Sequence, residues 1–322
     1  MNNQPQDASL TAGKGLMILG VGSDRPAKPT RAPLGIRVAN LFAILLPFAG
    51  LIAAIVLLWG PALGWTHLAI FFVMYLLTGF GITVGYHRLF THKSFKTGRA
   101  MTFLIGVFGS MAFEGPILQW AATHRQHHQH SDHEDDPHSP HAHGKGLRNM
   151  FRGFIHAHMG WLIKPQSTDV ERYVPDLKND PLVNFMSRTF LVWALLGMVL
   201  PAILGGLLTM SWWGVLLGFI WGGLVRIFFV HHITWSVNSV CHIWGRKRFK
   251  SGDESRNNAI CGVLALGEGW HNNHHAFPAS ARHGLRWWEI DFSYLLIRGM
   301  ALLGLASDVK TPSQEHIERK LA

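Results

Sequence analysis

VANLFAILLPFAGLIAAIVLLWGPALGWTHLAIFFVMYLLTGFGITVGY, residues 38–86, contains no Asp, Glu, Lys or Arg. This run is long enough for two membrane spans of about 20 residues each. Its middle, from Trp59 to Trp65, combines Gly and Pro with two Trp residues, which is typical of a turn at a membrane surface. We therefore predict a helical hairpin with spans at 38–59 and 65–86.

A second uncharged run extends from Thr189 to Val225, with Met210-Ser-Trp-Trp-Gly214 near its middle. It predicts another hairpin, with spans at 189–209 and 213–235. The composition agrees, because only 15% of the residues are charged, whereas soluble domains average about 25%. The predicted fold class is an all-α integral membrane protein with four transmembrane helices in two hairpins.

The placement of basic residues predicts the orientation. Neither hairpin turn carries Lys or Arg, and apart from Arg226 all basic residues lie in residues 1–37, 87–188 and 236–322. By the positive-inside rule, both termini and both polar regions face the cytoplasm. The net charge of +10 then matches an anionic lipid surface, because the sequence shows no aromatic-studded basic groove for nucleic acid.

The same pattern divides the chain. We predict a flexible N-terminal tail at 1–35, a single membrane domain at 36–307 and a C-terminal tail at 308–322. The cytoplasmic parts, 87–188 and 236–307, form a helical cap. In this cap the short apolar stretches Ala100–Ile117 and Asn258–Leu266 predict helices packed on the membrane domain, and residues 286–306 predict an amphipathic helix at the membrane interface.

The composition is also unusually rich in histidine, with 21 residues. Four motifs contain the candidate metal ligands: His87-Arg-Leu-Phe-Thr-His92, His124-Arg-Gln-His127-His128, Asn238-Ser-Val-Cys-His242 and His271-Asn-Asn-His274-His275. Positions i, i+3 and i+4 share one face of a helix, so the second and fourth motifs each present three imidazoles together. His87 and His92 are about 140° apart on an ideal helix and need a helix end or a distortion to converge.

Nine imidazoles at one locus are too many for one ion, so the motifs predict two metals with four to five ligands each. The residues alone leave Fe, Zn, Cu and Ni open. Asn238 is a poor direct ligand and is predicted to hold a metal-bound water. Candidates to orient the imidazole rings are Asp132, Asp135, Asp136, Glu268 and Asp291. Cys241 and Cys261 form no CxxC pair, so a thiolate zinc site is not predicted.

These motifs resemble those of the membrane fatty acid desaturase family, specifically its acyl-CoA Δ9 (stearoyl-CoA type) branch. The matching text includes Asp136-Pro-His138, Thr234-Trp235-x-x-Asn238-Ser-x-x-His242 and Gly267-Glu-Gly-Trp-His271, and the similarity extends over residues 36–307. The resemblance implies a di-iron centre that uses O2 and two electrons per double bond. It implies iron ligation by His87, His92, His124, His127, His128, His242, His271, His274 and His275, with Asn238 acting through water.

The resemblance also implies a substrate and partners. Thr234 and Trp235 match positions at the bend of the family's acyl tunnel, and Glu114 stands where the family often has Gln. Ala122 and Thr123 replace a charged Arg-Asp pair near the CoA head group of animal members. The expected substrate is a fatty acyl thioester, with CoA favoured and acyl carrier protein or a membrane lipid as alternatives.

Electrons must come from a separate ferredoxin, rubredoxin or cytochrome b5 with its reductase, because the chain has no fused haem, iron–sulfur or dinucleotide motif. The expected reaction is insertion of a cis double bond at Δ9 of a C16–C18 acyl chain in a bacterial inner membrane. Two rivals stay open: a di-iron lipid or alkane hydroxylase, and a metal-binding transport protein. The transporter is disfavoured because transporters place polar ligands within their spans.

Overall fold

The computed structural model describes residues 32–58, 64–144, 146–163 and 168–321. The predicted N-terminal tail and the first hairpin turn therefore lie almost wholly outside the described residues. Within these described ranges, four helices are long and apolar enough to cross a membrane, at Leu34–Leu57, Trp65–Thr91, Phe190–Thr209 and Trp212–His242. They match the four predicted spans, except that the second and fourth continue beyond 86 and 235 into the histidine motifs.

The helices follow in chain order. They are α1 (Leu34–Leu58), α2 (Trp65–Phe80, continued by a π-helix at Gly81–Thr91), α3 (Arg99–Ser110), α4 (Ile117–His130), α5 (Leu147–Ile155, continued by a π-helix at His156–Gly160), α6 (Trp161–Ile163), α7 (Val170–Tyr173), α8 (Pro175–Lys178), α9 (Pro181–Arg188), α10 (Phe190–Thr209), α11 (Trp212–Gly218, continued by a π-helix at Phe219–Val225), α12 (Arg226–Ser239, continued by a 3-10 turn at Val240–His242), α13 (Ala259–Leu264), α14 (His271–Ala276), α15 (Phe292–Leu302) and α16 (Gln314–Arg319). One two-residue ladder pairs β1 (Lys96–Thr97) with β2 (Ala306–Ser307) in antiparallel register.

Glycines let the third and fourth spans approach closely. A Cβ atom at Gly205 or Gly214 would overlap the backbone or side chain of the facing helix, and one at Gly218 would overlap the carbonyl of Pro201. Small residues at such contacts let the helix backbones approach closely. Lipid tails are as apolar as the helices, so no hydrophobic driving force brings helices together in lipid, and van der Waals contact stabilises the packing instead. The α10–α11 packing is therefore specified by residues that have almost no side chain.

Arg226 is the one charged residue inside the predicted fourth span, and it is fully buried. Its guanidinium donates to the carbonyl oxygens of Gly222 at 3.1 Å, Met111 at 2.7 Å and Gly197 at 2.6 Å. A charge at membrane depth is tolerated when it faces the bundle interior and finds such acceptors. Arg226 thus links the third and fourth spans to the turn that follows α3.

The helices predicted at Ala100–Ile117 and at 286–306 are shorter in the structure than predicted. Within Ala100–Ile117, α3 ends at Ser110 because the following turn needs positive φ at Phe113 (67°) and Gly115 (101°). Within the predicted interface helix at 286–306, α15 begins only at Phe292, where Asp291 accepts a hydrogen bond from the backbone N–H of Tyr294. The cytoplasmic and interfacial locations of these helices stay predictions.

The predicted C-terminal tail packs back onto the domain over its described residues. The backbone N–H of Lys310 donates to the carbonyl of Ser94 at 2.9 Å, and that of Lys250 donates to the carbonyl of Lys320 at 3.1 Å. Lys320 Nζ also donates to the carbonyl of Ala276, at the end of α14, at 2.6 Å. Residues after 307 therefore contact the helix that carries the fourth histidine motif.

Candidate metal centre

Nine histidines converge in two adjacent groups. In each group, one ring nitrogen of every histidine lies within 4.8 Å of those of the others. The five-histidine cluster consists of His87, His92, His124, His128 and His274, and the four-histidine cluster consists of His127, His242, His271 and His275. The ring centroids of His128 and His275 are 4.4 Å apart, so the clusters touch. The structure thus brings together all nine histidines that the motifs placed at one locus.

A π-helix brings the two histidines of the first motif onto one face. The second span changes from α-helix to π-helix at Gly81–Thr91, and the backbone N–H of His92 donates to the carbonyl of His87 at 3.1 Å. This i→i+5 bond aligns residues five apart on one face. The rings of His87 and His92 lie 4.8 Å apart as a result, which is the distortion that their spacing requires.

Carboxylates hold the outer ring nitrogens. His127 Nδ1 is 3.0 Å from Asp136, His242 Nδ1 is 2.9 Å from Asp132, and His87 Nδ1 is 2.7 Å from Glu268. These are three of the five predicted orienting residues. The other two lie elsewhere: Asp135 is exposed beside His130 at 4.0 Å, and Asp291 caps α15 and pairs with Arg88.

Several residues around the two clusters were not among the predicted site residues. Asp253 lies 2.6 Å from His275 Nδ1, and nothing in its local spacing marks it. The ring centroid of His138 lies 4.4 Å from that of His127, and the ring centroid of His283 lies 4.5 Å from that of His274. His141 Nε2–H donates to the His242 carbonyl at 2.9 Å. His138 stands in the Asp136-Pro-His138 match to the family, and the density of histidine in residues 130–143 was the only sequence signal for His141.

The arrangement of lone pairs fits a cation at the centre of the four-histidine cluster. A carboxylate only accepts hydrogen bonds, so Nδ1 of His127 and Nδ1 of His275 carry protons, and in the neutral imidazoles the Nε2 atoms are bare lone pairs. Those two Nε2 atoms face one another at 3.4 Å. A metal ion between them would turn this repulsion into two coordinate bonds, because neutral imidazole is a common ligand for Fe, Cu, Ni and Zn.

The five-histidine cluster shows the same fit. His274 Nε2 lies 3.1 Å from His87 Nε2 and 2.8 Å from His128 Nε2. His92 Nε2 is buried without a hydrogen-bond partner among the described residues. A buried polar atom without a partner is costly, and a metal would satisfy it.

Burial keeps four of these imidazoles neutral. Burial, reinforced by neighbouring histidines, lowers the pKa of His124, His128, His271 and His274 well below the ordinary value. At neutral pH these four histidines therefore offer unprotonated nitrogens, as metal binding requires. Burial opposes the charged form of His127 as well, but the Asp136 carboxylate raises its pKa above the ordinary value. Burial opposes ionisation of Asp253, yet its hydrogen bond to His275 lowers the pKa of the carboxyl below the usual range.

A buried ion network supports His87. Arg88 is fully buried and donates to the Glu268 carboxylate, to Asp291 at 3.1 Å and to the Ala281 carbonyl at 3.0 Å. Its Nη2 also lies 3.0 Å from His283 Nδ1. The network joins the end of the second span to residues 268–291, which flank α14.

Of the three predicted substrate residues, Glu114 and Thr234 contact each other, and the ring of Trp235 lies beside that of a histidine. Glu114 accepts a hydrogen bond from Trp120 Nε1 at 3.0 Å and another from the Thr234 hydroxyl. Trp120 in turn stacks on His124 at 5.1 Å, which connects Glu114 to the five-histidine cluster. Trp235 is buried, and its ring centroid lies 4.9 Å from that of His231. Asn238 precedes His242 by one turn, and its action through water stays a prediction.

Glu114→Gln should change the pH dependence of stability. Burial raises the pKa of the Glu114 carboxyl to about 7, against hydrogen bonds from Thr234 and Trp120 that favour its charged form. A raised carboxyl pKa means that the fold loses stability as pH rises from about 4.5 to about 7, since the unfolded chain ionises first. We expect the variant to lack this loss, a relative gain of about 1–3 kcal/mol at pH 8 over pH 5.

The measurement is thermal unfolding of both proteins in the same detergent at pH 5 and pH 8. The expected result is that the melting temperature at pH 8, relative to that at pH 5, is higher in the variant than in the wild type. Identical pH slopes for the two proteins would show that the Glu114 carboxyl does not keep its proton at neutral pH.

Comparisons with known proteins agree with this site. A family model described as fatty acid desaturase matches residues 63–302. The chain is 41% identical over 277 residues to hex-5-enoyl-[acyl-carrier protein] acetylenase of Moorena producens (85% of this chain, 86% of that protein). It is 39% identical to sn-1 stearoyl-lipid 9-desaturase of Anabaena variabilis (76% and 85%) and 36% identical to acyl-CoA C20 Delta5-desaturase of Anemone leveillei (80% and 78%).

The family match covers most of the chain and includes all four histidine motifs. The relatives act, by their names, on acyl chains carried by a protein, a lipid or CoA. The four apolar helices are those expected of a membrane enzyme. From its sequence match and its nine converging histidines, the chain belongs to the fatty acid desaturase family and is an oxidoreductase of fatty acyl chains.

Proposed function

We propose that this chain is an O2-dependent desaturase that inserts a cis double bond at Δ9 of a saturated C16–C18 acyl chain. The observation that carries the proposal is the pair of histidine clusters, whose inner nitrogens face two points about which metals can bind. The Δ9 position is supported by the relative named as an sn-1 stearoyl-lipid 9-desaturase. Other relatives act at other positions, so the position is one readout of the test below.

The proposed cofactor is a pair of iron ions. The ligands would be the nine clustered histidines, with Asn238 acting through water. The chemistry that such a centre supplies is the reduction of O2 to two waters by two external electrons, two protons and the two hydrogens of neighbouring methylenes. Every other contribution belongs to the chain itself.

The chain's own residues orient the metal-binding histidines and position the acyl chain. The aspartates and Glu268 fix the tautomer and the ring orientation of the histidines that they contact. Glu114, Thr234 and Trp235 are proposed to line the acyl site, where a neutral Glu114 would keep charge away from an apolar chain. Positioning of this kind selects which methylenes are oxidised.

The acyl carrier is the least constrained part of the proposal. CoA is the first candidate, as the family branch implies. A membrane glycerolipid is the second candidate, because Ala122 and Thr123 are uncharged where a CoA-binding pair is expected. Ala122 is buried and Thr123 is partly buried. One relative acts, by its name, on stearoyl lipid. Acyl carrier protein is named by a third relative.

The proposed setting is the cytoplasmic face of a bacterial inner membrane, with both termini and the histidine clusters on that side. Electrons would come from a separate ferredoxin, rubredoxin or cytochrome b5 with its reductase. A hydroxylase would use the same cofactor and substrate, and only its product would differ. A metal transporter is not favoured, because the family is enzymatic.

The test is fatty-acid methyl ester analysis of a desaturase-deficient host that expresses the chain, beside His127→Ala and the exposed-site control His133→Ala. We expect a cis-9 monoene with wild type and the control, and none with His127→Ala. Hydroxy fatty acids in its place would establish the hydroxylase. A monoene at another position would correct Δ9 alone.

The carrier is tested separately with purified protein, an electron donor and O2. Stearoyl-CoA, stearoyl-acyl carrier protein and a stearoyl glycerolipid are offered in parallel. Conversion of stearoyl-CoA alone would support the first candidate, and conversion of the glycerolipid alone would replace it.

A further inference from the structure

The two histidine clusters differ in how their outer nitrogens are held. In the four-histidine cluster, three of the four histidines are paired with aspartates: His127 with Asp136, His242 with Asp132 and His275 with Asp253. In the five-histidine cluster, His87 alone has a carboxylate within ion-pair distance among the described residues, and that carboxylate is Glu268. Each cluster also holds one buried Nδ1 without a hydrogen-bond partner in the described part of the chain, that of His271 and that of His274, so the contrast lies in the number of carboxylates.

The charge balance differs in the same direction. Besides the imidazoles, Asp132, Asp136 and Asp253 accept hydrogen bonds only from uncharged donors in the described part of the chain, namely hydroxyls and backbone N–H groups. A histidine that binds a metal does so as neutral imidazole, so each imidazole is counted here without charge. No Lys or Arg in the described ranges forms an ion pair with any of the three. Glu268 is instead paired with the fully buried Arg88, which also pairs with Asp291.

The formal charge beside the four-histidine cluster is therefore −3. For the five-histidine cluster, Glu268, Asp291 and Arg88 together leave −1. A carboxylate behind an imidazole raises the basicity of that ligand and attracts the cation beyond it, and losing one such partner typically costs 10–100-fold in metal affinity. Burial adds to the contrast, since the four-histidine cluster is fully buried and three members of the other are partly accessible.

We propose that the two metal positions are inequivalent: the four-histidine cluster retains its metal against a chelator, and the five-histidine cluster releases its metal first. This inference rests on the proposed two-metal function. It also assigns Asp253, which no motif marks, as a positioning residue of the retained metal through His275. Arg88 has the opposite effect, because it neutralises the one carboxylate that serves the other cluster.

The test uses the full chain in detergent, loaded anaerobically with Fe²⁺ and equilibrated with increasing chelator. Bound iron per chain is measured after equilibrium, so that differences in chelator access to the two clusters do not decide the outcome. We expect two steps with a plateau at one iron per chain, separated by about tenfold or more in chelator concentration. A single step from two to zero would overturn the proposal while leaving the two-metal function intact. Failure to bind any iron would overturn both.

Variants assign the steps. Asp253→Asn keeps the side-chain volume and should weaken the retained iron by about 10–100-fold, which shortens or removes the plateau. Glu268→Gln should move only the first step. Asp135→Asn, an exposed aspartate near the site, is the matched control and should move neither.

A gentler pair of variants covers the case in which Asp253→Asn fails to fold. Ser251→Ala and Ser255→Ala each remove one hydroxyl that donates to Asp253, at 2.7 Å and 2.5 Å. They should shift the second step in the same direction by a smaller factor. If Asp253→Asn or the serine variants shift only the first step, the assignment of the retained metal to the four-histidine cluster is wrong.

Discussion

His274→Ala is expected to abolish double-bond formation and to leave about one metal per chain. His274 Nε2 lies between His87 and His128, at 3.1 Å and 2.8 Å, so its removal opens the centre of the five-histidine cluster. Loss of an orienting partner alone costs about 10–100-fold in affinity or activity, and loss of a ligand should cost more. Product yield in the desaturase-deficient host and iron per purified chain are the two measurements.

The control for this experiment is His133→Ala, which removes an exposed imidazole from the neighbouring loop. It should retain both activity and iron. A His274→Ala protein that still formed the monoene at wild-type level would exclude this histidine from the metal centre. Thermal stability of both variants separates loss of metal from loss of fold.

Arg88→Gln is expected to prevent stable folding. Arg88 is fully buried, and it pairs with Glu268 and Asp291 and donates to the carbonyls of Thr83 and Ala281. Removing it leaves two buried carboxylates without their cation. Breaking a buried ion pair on one side typically costs 3–5 kcal/mol, which is a large part of the stability of an average domain.

The measurements are yield in the membrane fraction and the thermal unfolding midpoint. Arg298→Gln is the matched control, because Arg298 is exposed and such surface changes usually stay within about 0.5 kcal/mol. An Arg88→Gln protein with wild-type yield and midpoint would mean that the network contributes little. In that case the orientation of His87 would depend on Glu268 alone.

The sequence determined the parts of this protein that depend on local pattern. Two long uncharged runs predicted four spanning helices, because a segment in lipid must satisfy its own backbone hydrogen bonds and carry few charges. Helical spacing of the histidines in the second and fourth motifs predicted which rings share a face. The family followed from the same motifs.

Some helices end at residues other than the limits of the predicted segments, for a local reason. The second span continues beyond Tyr86 as a π-helix to Thr91, and α3 stops at Ser110 because of a turn with positive φ at Phe113. A hydropathy pattern registers where charge begins, and it does not distinguish α- from π-helix. The histidine spacing of five was the one sequence signal for the distortion.

Only the tertiary structure decided what stands behind the histidines. Asp253 and His283 reach the site from loops distant in sequence, and Arg88 points away from the metal side of its own motif into an ion network with residues 268–291. The division of nine histidines into groups of five and four mixes three motifs in each cluster. Ligand type is a property of one residue and can be recognised locally, whereas the charge around a ligand depends on which distant segments pack against it, and no spacing along the chain records that packing.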